Sequence, residues 1–297
     1  MPGRSPERRP RKEAAATPGS TMARLAAVRD GLSPVARRIA DFILGNREKV
    51  IHMSITEVAE RVRVSEGSII GLCQQLDLKG FQGLKIDLAQ GLLEPIKLIH
   101  EDLERDDDVA TIVNKVFQSD IQALHDTLAV LDRKAVAQAI DIILAALWVE
   151  IYGIGSAAPV ALDAYHRMIR LGLNCKVVTD SHAQAVSASQ LKPGVAVLTI
   201  SHSGSTIETV AATRLAKEAG ARTICITNVG KSPIQAHADV VLYTAAKETK
   251  FRTEAMTSRI AELAIVDALN AGIALANYER SLKTIRLTFE VLSTKRL

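Results

Sequence analysis

From Ala23 to about Leu93 apolar residues recur at helical spacing. Val35, Ile39, Phe42 and Ile43 share one face behind Ser33, whose hydroxyl can accept from the free N–H groups of a first helical turn. A second run places Ile55, Val58, Ala59 and Val62 on one side and opens at Ser54, which forms with Glu57 the S-x-x-E pattern of a capping box. Arg63 and Val64 interrupt the period, and Ser65 starts a third run with Ile69, Leu72, Cys73 and Leu76 on one stripe. Two short helices about a tight turn, with the small Ala59 where they must cross closely, form a helix-turn-helix pattern. LDLKGFQGLK closes the unit, with Gly80 free to turn and Phe81 placed to dock beneath the helices. A plain three-helix bundle without a DNA role is the competing reading.

The next stretch, Glu94 to Leu131, is helical in period and rich in charge, and it reads as a linker with a solvated acidic face at Asp106 to Asp108. From about Leu147 short apolar runs alternate with helical stretches. The runs are Val149 to Tyr152, Cys175 to Val178, Val195 to Ile200, Thr223 to Ile226 and Val240 to Tyr243. VAVLTI is apolar on both faces, which suits a strand held between helix layers. The alternation predicts a doubly wound, five-stranded parallel sheet in a three-layer, flavodoxin-like α/β domain. A long amphipathic stretch, Arg252 to Tyr278, predicts a closing helix.

Composition adds boundaries. The 297 residues suffice for two domains, and with 47% hydrophobic but only 3% aromatic residues the cores must be aliphatic. The net charge of +4 does not by itself establish a nucleic-acid partner. Cys73, Cys175 and Cys225 are far apart and form no C-x-x-C pair, so neither a zinc site nor a disulfide framework is expected; no cofactor and no metal are implied. No apolar run reaches bilayer length, and the Arg- and Pro-rich start lacks the apolar segment of a secretory signal, so a cytoplasmic protein without a membrane partner is expected. The expected organisation is a disordered basic tail at 1–22 (with Met22 an alternative start), a helix-turn-helix domain at 23–98, a helical linker at 99–131, the sheet domain at 132–280, and a helix or tail at 281–297.

Ligands of doubly wound sheets bind in loops at the carboxyl ends of the strands. Two such loops stand out. Gly153-Ile-Gly155-Ser156-Ala157-Ala158 follows the first strand, and Ser201-His202-Ser203-Gly204-Ser205-Thr206 follows the third and opens a helix. The second combines hydroxyls, a glycine and the free N–H groups of a helix start, a donor set suited to phosphate. It lacks the G-K-[ST] ending of a Walker A loop. G-x-G-x-x-A, with Asp180 ending the next strand, also fits a dinucleotide fingerprint, but that motif gives no reason for the hydroxyl-rich loop.

With these motifs the chain resembles the RpiR-type bacterial regulators, a helix-turn-helix joined to a sugar isomerase (SIS) domain. MSITEVAERVRVSEGSI and LDLKGFQGLK carry the first half of the resemblance. YGIGSA, DSH at Asp180 to His182, ISHSGSTIET and FRTEAMTSRIAELAIVDAL carry the second. The resemblance implies a phosphorylated sugar or sugar-acid effector, held by Ser156, Ser201, Ser203 and Thr206 with the backbone around Gly204 and Ser205. His202 and Glu254 stand beside them. His202 can equally pack or face solvent, and Glu254 can serve sugar hydroxyls or simply be an acid in a helix's first turn.

The family's second helix usually reads Ala-Thr-Val-x-Arg-Phe, whereas here Gly71 replaces the basic residue. The predicted DNA contacts are therefore Gln74 at a base edge, Gly71 as close backbone approach, and Arg63, Ser65, Ser68 and Lys79 on phosphates. Three functions compete: a regulator whose DNA affinity an effector controls, a sugar-phosphate isomerase using Glu254, Glu208 or His202, and an effector-binding module acting on a protein partner. The first is expected, with no catalytic residue. It would act as a homodimer or homotetramer reading an operator with inverted half-sites.

Overall fold

The computed structural model describes residues 21–51, 53–90, 103–104, 106–246 and 257–293. Its first unit is helical: α1 (Thr21–Val28), α2 (Pro34–Gly45), α3 (Arg47–Val50), α4 (Ile55–Val62), α5 (Glu66–Gln75) and α6 (Gly80–Gln90). The expected caps all form. Ser33 Oγ accepts from Ala36 N at 3.3 Å, and Ser65 Oγ from Ser68 N at 3.2 Å. The box at Ser54 is complete, with Glu57 N donating to Ser54 Oγ at 3.1 Å and Ser54 N to Glu57 Oε2 at 2.6 Å. Ser54→Ala removes a bond that fixes the start of α4, so we expect a loss of about 1 kcal/mol in this unit. Urea unfolding followed by circular dichroism checks it, and an unmoved midpoint would deny the box any role.

Ile39, Ile43, Ile55, Val58, Ala59, Ile69, Leu72, Cys73, Leu76 and Phe81 share one core with Leu84 and Leu88. Of the residues expected on the buried faces, Phe42 and Val62 are only partly buried and Val35 is exposed. Thr21 and Met22 do not belong to a tail; they open α1. The Thr21 hydroxyl donates to Asp87 Oδ2 at 2.7 Å, and the Arg24 guanidinium donates to the Leu76 carbonyl and to Asp87 at 3.0 and 3.1 Å. These bonds draw α1 onto α6 and the carboxyl end of α5. The rest of the expected tail lies outside the described residues.

The second unit runs α7 (Val109–Val130), α8 (Arg133–Ala145), β1 (Trp148–Tyr152), α9 (Ala158–Arg170), β2 (Cys175–Val178), α10 (Ser181–Ser189), β3 (Val195–Ile200), α11 (Ile207–Glu218), β4 (Arg222–Asn228), β5 (Val240–Thr244), α12 (Thr257–Ala276) and α13 (Tyr278–Ser293). The five strands are all parallel in the order β2-β1-β3-β4-β5. Side chains alternate across the sheet, so Val149, Ile151, Leu198, Ile224 and Leu242 join α8, α9 and α12 on one face. Tyr152, Val195 and Val197 join Ala188, Ala212 and Ala216 of α10 and α11 on the other.

The segment expected as a linker holds α7, and α7 is built into this unit. Ala245 N donates to Thr127 Oγ1 at 3.0 Å, and Ala123 is buried with Ala246 and Ala261. The expected closing helix ends as α12 at Ala276, close to the expected Tyr278, and the helix or tail expected at 281–297 is the helix α13, which already begins at Tyr278. α12 and α13 meet at 110°, and Arg280 of α13 donates to the Gly172 carbonyl at 2.8 Å, drawing that helix back over the end of α9. Among the described residues no single helix is long and apolar enough to cross a membrane.

Glu150 on β1 is 3% exposed, unusual for a carboxylate. It accepts from Tyr152 Oη at 2.7 Å, from Ser187 Oγ of α10 at 2.8 and 2.9 Å, and from Lys176 Nζ at 3.3 Å. Burial, then the Glu150 hydrogen bond, pushes the Tyr152 phenol up, so it remains a donor. The network anchors α10 to the sheet. Burial likewise raises the thiols of Cys73 and Cys175 to about 12, leaving them protonated and unreactive.

Candidate functional site

In the order β2-β1-β3-β4-β5 the chain leaves β1 toward β2 and returns on its other side at β3, which makes the β1/β3 boundary the topological switch point. Tyr152 pairs with Thr199, so the loops after β1 and β3 emerge side by side at the carboxyl edge. These are the two loops singled out by their residues. Ser156 lies half-buried in a 3-10 turn, Gly155–Ala157, that leads into α9. Gly153 is in tight contact with that turn, since a Cβ there would lie 2.7 Å from the Ala157 carbonyl oxygen.

The Ser201–Thr206 loop is fixed from below and open above. Ser201 N donates to the Ile226 carbonyl at 3.0 Å and Gly204 N to the Ser201 carbonyl at 3.1 Å. Ser203 and Thr206 are exposed, and Ser201 is buried at the base. Thr206 is the N-cap of α11, yet its side chain makes no capping bond, and the first N–H groups of a helix lack partners within it. Ser205 N donates to Ser203 Oγ at 3.3 Å, which draws the loop into a compact turn. The exposed hydroxyls of Ser203 and Thr206 thus stand at a helix start, an arrangement able to hold an anion without a metal. The His202 carbonyl accepts from Thr227 Oγ1 at 3.1 Å and Asn228 N at 3.0 Å, so its backbone is clamped while its ring is half-buried.

A third loop, which no sequence motif marks, completes the wall. After β4, Ile234 N donates to the Gly204 carbonyl at 3.1 Å, and Ser232 packs directly on Gly204. The Ser232 hydroxyl oxygen is buried and has no hydrogen-bond partner among the described residues. Its signal is only a serine just beyond the fourth strand, one strand along from the loop already chosen. Asp180, the rival ribose-binding acid, instead caps α10, accepting from Ala183 N at 2.8 Å. Glu208, a possible isomerase base, is exposed on α11, and Glu254 lies outside the described residues.

In the helical unit, Arg63 takes φ 57° and ends α4, and the turn to α5 spans Arg63 to Ser65. Thr56 Oγ1 donates to Glu66 Oε1 at 2.7 Å, binding the two helices together. Opposite the buried stripe of α5 lie exposed Gly67, half-buried Gly71 and exposed Gln74, with open space where a Gly71 side chain would stand. Arg63, Ser65 and Lys79 are exposed around them. Ser65 is partly engaged, its hydroxyl lying 2.8 Å from that of Ser68.

Two family models match: a helix-turn-helix domain of the rpiR family over residues 20–95, and a SIS domain over residues 149–271. An uncharacterized HTH-type transcriptional regulator of Caldanaerobacter subterraneus is 36% identical over 276 residues, covering 92% of this chain and 98% of that one. The chain belongs to the RpiR family. This RpiR-family regulator is also 29% identical to the HTH-type transcriptional regulator RpiR of Escherichia coli K12, over 85% of both chains. Among solved structures it is similar to the Vibrio vulnificus NanR protein complexed with ManNAc-6P. That likeness has a TM-score of 0.76 at 27% identity, covering 93% of this chain and 99% of that one. Relatives named as regulators over nearly the whole chain favour a role other than catalysis.

Proposed function

We propose that this RpiR-family regulator binds a phosphorylated sugar in the crevice between the loops after β1 and β3, and that occupancy changes its affinity for DNA. The observation that carries the reading is the Ser201–Thr206 loop at the switch point, where Thr206 leaves its hydroxyl uncommitted at the start of α11. The NanR protein, similar along nearly its whole length, is complexed with ManNAc-6P, which supports a sugar 6-phosphate as the ligand class. Ser156, Ser201, Ser203 and Thr206, with the Gly204–Ser205 backbone and Ser232, would hold the phosphate end. His202 and Glu254 would stand toward the sugar. The α1–α6 segment would act as the DNA-binding unit and the α7–α13 segment as the effector unit, in a cytoplasmic homodimer or homotetramer reading inverted half-sites. A gel shift on the DNA flanking its own gene, with and without a panel of sugar phosphates, tests the reading. A shift that no ester alters would refute effector control, and no shift with any DNA would favour a protein partner.

On the DNA side, Gln74 would read a base edge and Lys79 a phosphate. Gln74→Ala is expected to relax preference at one position per half-site by about 1 kcal/mol. Lys79→Ala is expected to weaken all sequences alike and lower the salt slope by about one unit. Selection of preferred sequences from a random pool separates the two. An unaltered preference in Gln74→Ala removes that residue as a reader.

A further inference from the structure

Among the described residues the helical unit and the sheet unit share no core: the first packs residues between Leu25 and Leu88, and the others lie between Ala123 and Ile273. A side-chain bridge nevertheless spans them. Lys231 Nζ donates to both carboxylate oxygens of Glu60, at 2.7 and 2.8 Å. Lys231 lies in the loop after β4, next to Ser232, and Glu60 lies on the solvent side of α4. We infer that the Lys231–Glu60 pair is the contact through which an occupied crevice is felt by the DNA-binding helices.

The physical chain has three links. Gly204, in the proposed phosphate loop, is packed against Ser232 and Ile234 too closely to admit even a methyl group, and its carbonyl is bonded to Ile234 N. Closely packed loops cannot adjust independently, so a rearrangement of residues 201–206 around an anion displaces the neighbouring loop at 230–234. Lys231 is carried by that loop, which is otherwise stiff: Gln235 Nε2 donates to the Gly230 carbonyl at 2.6 Å, and Val229 N to the Thr244 carbonyl at 2.8 Å. On the far side, Glu60 moves with α4, and α4 is tied to α5 by the Thr56–Glu66 bond and by their common core. Both partners of the pair are more than half exposed, at 63% and 54%. Such a pair is weak and salt-screened, so a small displacement suffices to open it.

The inference rests on the proposed function, and the test separates the two. The full chain is titrated with N-acetylmannosamine 6-phosphate and glucosamine 6-phosphate, alone and on the DNA flanking its own gene. The proteins are wild type, Lys231→Ala, Glu60→Gln, and the charge swap Glu60→Lys with Lys231→Glu. Each single variant should bind the esters within about twofold of wild type, because neither residue belongs to the crevice. The ester-induced change in DNA affinity should shrink by about threefold or more in both, and return in the swap. A wild-type response that persists undiminished in Lys231→Ala or Glu60→Gln overturns the inference alone. A wild type that binds neither ester, or whose DNA affinity neither ester alters, overturns the functional reading and leaves the pair no signal to carry.

Discussion

Gly204→Ala should abolish tight ester binding and destabilise the sheet unit by about 2–4 kcal/mol. Two costs combine. Gly204 has φ +57°, a conformation that an L side chain enters only at the expense of a clash with its own backbone. The added methyl group also has no space: it would run into Ser232 Oγ and lie 2.8 Å from Ser232 Cβ and 2.9 Å from Ile234 Cγ2. Those atoms belong to a loop bonded back to Gly204 itself, so relief would require breaking the Ile234–Gly204 hydrogen bond. Differential scanning calorimetry reads the stability, and titration with the esters reads the binding. A variant with normal ester affinity would show that the geometry of this turn is irrelevant to recognition.

Ser203→Ala should separate binding from stability. The hydroxyl is exposed at the loop's tip, touches no core and accepts only the long bond from Ser205 N, so the fold should lose no more than about 1 kcal/mol. A hydrogen bond to a charged phosphate is worth about 1.5–3 kcal/mol, so ester affinity should fall by roughly one to two decades. Titration of wild type with the dephosphorylated sugar is the control. If that sugar binds wild type as tightly as its ester, the loop does not hold a phosphate.

Local chemistry made much of the fold legible. Ser33, Ser54 with Glu57, and Ser65 announce helix starts because a cap is a contact between residues two or three apart. The strands were legible as short apolar runs between helical stretches, most plainly β3, where burial on both faces leaves the continuous run VAVLTI. The hydroxyl-rich loop could be placed at a strand end for the same reason. What remained hidden depends on contacts distant in sequence. Nothing local shows that Thr127 will receive the Ala245 amide, so α7 reads as a linker. The end of the closing helix was legible at Tyr278, beside the break at Asn277, but nothing local shows that Arg280 will bond to the Gly172 carbonyl or that α13 will turn back at 110°. Ser232 joins the crevice only because two loops separated by a whole helix and strand press together at Gly204.

The separation of the two cores bears on how such a chain can change over generations. A substitution that reshapes the crevice is repaired within the sheet unit, where Glu150, Tyr152 and Ser187 keep the scaffold in place around it. None of that repair need pass into the residues packed around Ile39 and Ile69. Under the proposed function, a lineage can therefore change its ligand while retaining its DNA preference, or the reverse. Each half is a separate unit of innovation.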